Sequence, residues 1–312
     1  MNGWWSALAV IVAIVIVGFL GVCGFSLYVG WKLLHPPRKK VGMKPEEFGI
    51  ARYEEVTFPS RETRVTLSGW YLSAAANGCR ENGMTLIFAH GYGQNRLEPH
   101  LPALSLAARL LREGYDVLMF DFRNAGMSGG RFTTVGYLEQ RDLLGAIDYA
   151  ASRRPGQRIG LIGFSMGAVT SLLAAAQDER VQAVVADSPF YSLDEYLQEN
   201  LPVWTGLPRF PFNALIMTLV PLVLRADPRE VSPCRAVEQI GQRPILLIHG
   251  TGDQTVPCEN SQRLVQHALH PDTALWLVPG AGHVRSYAQR PEEYAERVLA
   301  FLRQTAKNPL PL

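Results

Sequence analysis

Apolar and polar positions divide the chain into one long apolar run, a short polar stretch, and an alternation of short apolar runs with amphipathic ones. The first run, WWSALAVIVAIVIVGFLGVCGFSLYVGWKLL from Trp4 to Leu34, carries no charge before Lys32. About 20 apolar residues suffice to cross a bilayer, and the tryptophans at its two ends, Trp4, Trp5 and Trp31, suit the membrane interface. The pattern predicts a transmembrane anchor over 1–34. A cleaved signal peptide would need a basic leader and a shorter apolar core, and no Lys or Arg precedes the run. Leu20-Gly21-Val22-Cys23 is only a partial lipoprotein box, because valine is bulky for the position before the cysteine. Residues 35–50, HPPRKKVGMKPEEFGI, mix proline with charge and predict a linker holding the globular part off the bilayer.

Within 51–306, strand-type runs fall at 51–58, 64–73, 84–89, 115–121, 158–163, 181–187, 243–249 and 273–279. Helix-type stretches at 99–112, 135–152, 166–177, 258–269 and 292–305 separate most of the later ones. This alternation predicts one α/β domain: an eight-stranded, mostly parallel sheet flanked by helices, with an antiparallel edge made by the first two strands. Residues 307–312 form a tail. Residues 190–235 break the rhythm and are rich in aromatics, among them Tyr191, Tyr196, Trp204, Phe210 and Phe212. An excursion of this length predicts a short helical lid, with Trp204 and Phe212 walling a substrate pocket. Its apolar run FNALIMTLVPLVL is too short to span a membrane and contains Pro221.

The candidate chemistry starts at RIGLIGFSMGAVTSLLAAA, residues 158–176, where a strand-type run gives way to a helix-type one at Ser165. Gly163-Phe164-Ser165-Met166-Gly167 fits the G-x-S-x-G elbow, a strained turn that exposes a nucleophilic hydroxyl above the sheet. A serine capping the following helix is the plainer reading of this stretch taken alone. A nucleophilic serine needs a base and a group to orient that base, later in the chain and in the order Ser, Asp, His. Asp253 follows the run RPILLIHG, and His283 follows TALWLVPG, each in a loop beyond the carboxyl end of a strand. His249 is the rival base, better read as packing around the site, and Asp187 is the rival acid. The oxyanion of acyl transfer needs backbone donors, for which the sequence offers Met166 N–H and, in the loop HGYGQNR, Tyr92 N–H with His90 as a brace. In FDFRNAGMSGG no Lys-Ser or Lys-Thr follows the glycines, which argues against a phosphate loop. Asp121 and Arg123 are expected there as a structural pair.

Composition adds limits. A net charge of +2 and the absence of a nucleic-acid motif give no reason to expect a nucleic-acid partner, and the cluster Arg38-Lys39-Lys40 is explained by lipid headgroups and topology. Cys23, Cys79, Cys234 and Cys258 have neither zinc spacing nor the look of a disulfide framework. Lys32, Arg38, Lys39, Lys40 and Lys44 follow the apolar run while no basic residue precedes it, which predicts a single-pass protein with its globular domain in the cytoplasm.

The chain from about residue 51 to residue 302 resembles the α/β-hydrolase superfamily, in particular membrane-tethered bacterial hydrolases of the Bem46-like and serine-aminopeptidase-like branches. The residues that carry the likeness are His90-Gly91-Tyr92-Gly93, Asp121 to Ser128, Gly163 to Gly167, His249 to Asp253 with Val256-Pro257, and Gly282-His283. Asn124-Ala125 stands where many relatives read Gly-His. The resemblance implies a Ser165, Asp253, His283 triad, an oxyanion hole at Tyr92 and Met166, and an acyl-enzyme route that uses no metal or organic cofactor. The expected substrate is a small-molecule or lipid-like ester or thioester, with no obligate protein partner. Two other readings are an aminopeptidase, using Asp194, Glu195 and Glu199 to bind the substrate's amino terminus, and a non-catalytic binding protein on the same scaffold.

Overall fold

The computed structural model describes residues 3–307. The long apolar run is a single helix, α1 (Gly3–Leu34), apolar on all sides. Two strands follow with no helix between them, β1 (Glu54–Pro59) and β2 (Thr66–Leu72). Strands and helices then alternate: β3 (Met84–Ala89), α2 (Ala103–Arg112), β4 (Asp116–Phe120), α3 (Glu139–Arg153), β5 (Arg158–Phe164), α4 (Met166–Gln177) and β6 (Val181–Asp187). Three helices occupy the excursion, α5 (Leu193–Thr205), α6 (Ala214–Leu224) and α7 (Pro233–Ile240). The chain closes with β7 (Ile245–Gly250), α8 (Glu259–Val265), β8 (Ala274–Val278), α9 (Ser286–Gln289) and α10 (Pro291–Lys307).

All eight predicted strands form one sheet in the order β1-β2-β4-β3-β5-β6-β7-β8. β2 runs antiparallel to both β1 and β4, and the remaining pairs are parallel. Covered on both faces, β3 is apolar nearly throughout and wholly buried, whereas β1 at the edge alternates buried and exposed positions. Successive side chains feed two cores: Ile87 and Ala89 pack with α3 and α4, Leu86 and Phe88 with α2 and α10. Helix α2 starts four residues later than its pattern predicts, because Pro102 cannot donate within a helix.

The linker differs most from expectation. Residues 36–40 are held against the domain: the Arg38 guanidinium donates to the carbonyls of Ser128 at 2.6 Å and Gly130 at 2.5 Å. Lys39 donates to Gln94 at 2.7 Å, and the Asn95 amide donates to the carbonyls of Lys39 and Lys40 at 3.1 Å. Thr133 N–H donates to the carbonyl of Leu34 at 2.8 Å. The domain is thereby seated on the end of α1, and two of the three clustered basic side chains bind protein.

Candidate active site

Ser165 is the hinge between β5 and α4, at φ 52° and ψ −118°. A non-glycine residue held there is strained by about 1–3 kcal/mol, and the neighbouring elements enforce it. A Cβ on Gly163 would overlap the Gly167 carbonyl, and one on Gly167 the Ala89 carbonyl, so only glycine lets strand and helix approach this closely. Ser165 N–H donates to the Asp187 carbonyl at 2.8 Å, tying the turn to β6.

His283 and Asp253 arrive from adjacent strand ends. The loop after β7 and the loop after β8 are bonded to each other: Thr251 N–H donates to the Val278 carbonyl and Gly252 N–H to the Ala281 carbonyl, both at 2.9 Å. Gly280 N–H donates to the Thr251 hydroxyl at 2.9 Å. On this frame His283 Nε2 lies 2.8 Å from Ser165 Oγ, and His283 Nδ1 lies 2.7 Å from Asp253 Oδ2. The other carboxylate oxygen of Asp253 accepts the N–H groups of Thr255 and Val256 at 2.9 Å. Burial would raise the pKa of Asp253, but hydrogen bonds from His249 and His283, the imidazole charge and Val256 N–H outweigh it and hold the carboxyl well below the usual range. Asp253 is therefore ionised and fixes a proton on His283 Nδ1, leaving Nε2 free to accept the hydroxyl proton.

The two rivals have other partners, and the Ser165 hydroxyl is bonded to His283. His249 is fully buried, with Nδ1 2.7 Å from the Ser261 hydroxyl and Nε2 2.8 Å from the Val256 carbonyl, so it locks the loop that carries the acid. Asp187 is also fully buried; one oxygen accepts from Ser188 Oγ at 2.9 Å and the other has no partner. Burial pushes its pKa up to about 6.

The loop after β3 faces the hydroxyl, and a Cβ on Gly91 would sit 3.5 Å from Ser165 Cβ. His90 braces it, donating from Nδ1 to the Gly91 carbonyl at 2.8 Å and accepting Phe122 N–H on Nε2 at 2.9 Å. Gly91 N–H donates to Glu98 Oε2 at 2.6 Å. Glu98 is buried, and burial raises its pKa to about 7. Sequence reasoning missed this carboxyl; its one signal was an acid close behind a glycine-rich loop in an apolar context. Met166 is the first residue of α4, so its N–H belongs to the first turn, which has no carbonyl of its own helix to bond. Tyr92 and Met166, from two elements, both line the cavity with Ser165, and the Tyr92 hydroxyl donates to the Leu33 carbonyl.

The expected pair of Asp121 and Arg123 is corrected. Asp121 binds Arg96 at 2.6 Å and Arg123 binds Asp142 at 2.6 Å, because the loop after β4 turns the two side chains toward different neighbours, the β3 loop and α3. Both ion pairs are buried beneath the site.

Ser165 and His283 open into an apolar cavity of about 470 Å³, a size ordinary for ligand pockets. Leu193, Tyr196, Leu201 and Trp204 of α5 wall one side, and Ile216, Met217 and Val220 of α6 another. Of the two aromatics expected to wall a pocket, Trp204 is among the cavity's lining residues and Phe212 is not; Phe212 packs edge-on against Phe25 of α1, with ring centres 5.7 Å apart. The third wall is Gly30, Leu33 and Leu34, the end of α1, which the sequence reading treats only as an anchor. None of Asp194, Glu195 and Glu199 lines the cavity, and Glu195 is paired with Arg263 at 2.8 Å.

The sheet order, the elbow and the strand-end loops define an α/β-hydrolase fold. The esterase Pf2001 of Pyrococcus furiosus superposes with a TM-score of 0.71 at 31% identity, over 88% of this chain and 98% of the esterase. Est1E of Butyrivibrio proteoclasticus, at 21% identity and a TM-score of 0.65 over 81% of this chain and 100% of Est1E, shares the fold. The profile of the prolyl oligopeptidase family matches residues 102–309, and the chain belongs to that family. YqkD of Bacillus subtilis is 32% identical over 221 residues, 70% of either chain. The family is one of hydrolases; its match does not specify the Bem46-like or serine-aminopeptidase-like branch.

Proposed function

We propose that the chain is a membrane-anchored serine hydrolase that cleaves a carboxylic ester or thioester through an acyl-enzyme on Ser165. The observation that carries this reading is the hydrogen-bonded chain Ser165–His283–Asp253 at the floor of an apolar cavity. His283 takes the proton as Ser165 Oγ attacks the acyl carbon, then passes it to the leaving alcohol or thiol. Tyr92 N–H and Met166 N–H hold the developing oxyanion, a contribution of about 3 kcal/mol for each such donor. A water activated by His283 releases the acid. Resemblance to the esterase Pf2001 supports an ester over a peptide. The family's prolyl oligopeptidase description favours a peptidase as the second reading, but the acidic residues expected to bind an amino terminus are not among those that line the cavity. A panel of p-nitrophenyl esters and aminoacyl anilides separates the two. Esters are expected to turn over and anilides not, with Ser165→Ala inactive on both; anilide turnover above ester turnover would favour the peptidase.

Among the described residues one helix, Trp4–Leu34, is by itself long and apolar enough to cross a membrane. Because its last turn walls the cavity, removal of the helix would open the site, which supports a retained anchor over a cleaved signal. The basic residues after α1 support a cytoplasmic domain. A reporter that fluoresces only in the cytoplasm, fused after Leu312, is expected to be bright; an expressed but dark fusion would put the site outside.

A further inference from the structure

The 32 residues of α1 rise about 48 Å, well beyond the roughly 30 Å hydrocarbon core of a bilayer. The helix is used accordingly in two parts. Residues 4–21 are exposed around the whole circumference, whereas Ser26 and Gly30 are buried and Leu33 and Leu34 half-buried along one stripe. That stripe meets the excursion: Phe25 packs on Phe212, and Gly30 lies so close to α6 that a Cβ there would overlap Val220. From Trp5 to Trp31 the helix rises about 40 Å, close to the full thickness of a bilayer with its interfacial layers. Helix α6 therefore lies beside the part of α1 at interfacial depth.

The side of α6 turned away from the cavity is apolar and bare. Leu222 is 69% exposed and Val223 71%, and Phe210, just before the helix, is 82% exposed. Arg209 and Arg225 bracket this surface, both exposed, as basic residues do at the ends of segments lying among lipid headgroups. The opposite side of α6 lines the cavity over Ser165, together with the end of α1. One thin wall of apolar residues thus separates the bilayer from the nucleophile.

We propose that the seam between α1 and α6 is a portal facing the bilayer, whose apolar wall parts to let the acyl chain of a membrane-resident ester lipid reach Ser165 without crossing water. The proposal rests on the hydrolase and anchor readings above and names their substrate class. An exposed apolar surface continuous with a membrane helix is covered by lipid, and a chain already in lipid gains nothing from passing through solvent. In the reaction the Ser165 Oγ–acyl bond forms as the ester C–O bond breaks, and the proton from Ser165 leaves with the headgroup alcohol by way of His283. The polar headgroup stays at the interface, beside Arg209 and Arg225.

The test uses the full chain in phosphatidylcholine vesicles with two substrates, 4-methylumbelliferyl palmitate dissolved in the bilayer and p-nitrophenyl butyrate in solution. Leu222 and Val223 lie outside the cavity lining, so the double substitution Leu222→Asp with Val223→Asp is expected to lower palmitate turnover at least tenfold and leave butyrate turnover within twofold. Phe210→Asp is expected to act in the same direction, and butyrate turnover reports that each variant is folded. Unchanged palmitate turnover, or an equal fall on both substrates in both variants, would overturn the portal and leave the hydrolase reading standing. Absence of butyrate turnover in the unaltered chain would overturn the hydrolase reading, and the portal with it.

Discussion

Two buried aspartates at neighbouring strand ends have been driven in opposite directions. Asp253 is offered His283, His249 and two backbone N–H groups, and stays ionised; Asp187 has one well-formed hydrogen bond, from Ser188, with the Tyr294 hydroxyl nearby, and burial outweighs them and lifts its pKa to about 6. The difference follows from partners, since both carboxyls are buried. Asp253→Asn is expected to cut turnover by about 10⁴, because the imidazole tautomer is no longer held, while Asp187→Asn stays active. For stability, a folded-state pKa of about 6 against about 3.8 unfolded means that the native state binds the extra proton between those values. Stability from this group is full below about pH 4 and is lost as pH rises through 6, by about 3 kcal/mol in all. Thermal melts should therefore show Asp187→Asn stabilising the protein more at pH 8 than at pH 4. An equal shift at both would mean that Asp187 is no more protonated in the folded chain than in the unfolded one.

At the scale of elements, the sequence shows what is local and periodic. The strands, the elbow and the two strand-end loops carry their own patterns, so the strand order of events along the chain leads directly to Ser165, Asp253 and His283. The partners of Asp121 and Arg123 could not be read the same way, because Arg96 and Asp142 come from other segments and only the turn after β4 decides which side chain meets which. Phe212 and Trp204 are equivalent as aromatics in one excursion; the packing of α6 on α1 turns one toward α1 and α5 turns the other toward the cavity. Trp204→Ala is accordingly expected to change the preference among p-nitrophenyl acetate, butyrate and octanoate, and Phe212→Ala to leave that ranking alone. If Phe212→Ala reorders the esters and Trp204→Ala does not, the cavity wall has been assigned to the wrong ring.

At the scale of the whole molecule, α1 combines two roles that its sequence cannot distinguish. An unbroken apolar run looks the same whether lipid or protein covers it, yet only the last third of this helix touches the domain. Arg38, Lys39, Asn95 and Thr133 fasten the end of that third and the following residues to the domain, so α1 and the cavity wall are parts of one body; with α1 as the proposed anchor, the proposed acyl site would sit at the membrane surface. The proposed reaction turns on Ser165 being an activated nucleophile. A fluorophosphonate probe reports it directly, since only a serine whose proton is taken by a neighbouring base reacts quickly. The full chain is expected to be labelled within minutes at Ser165, with labelling abolished in Ser165→Ala and strongly slowed in His283→Ala. Absence of labelling in the folded, unaltered chain, or equal labelling of Ser165→Ala, would contradict the account.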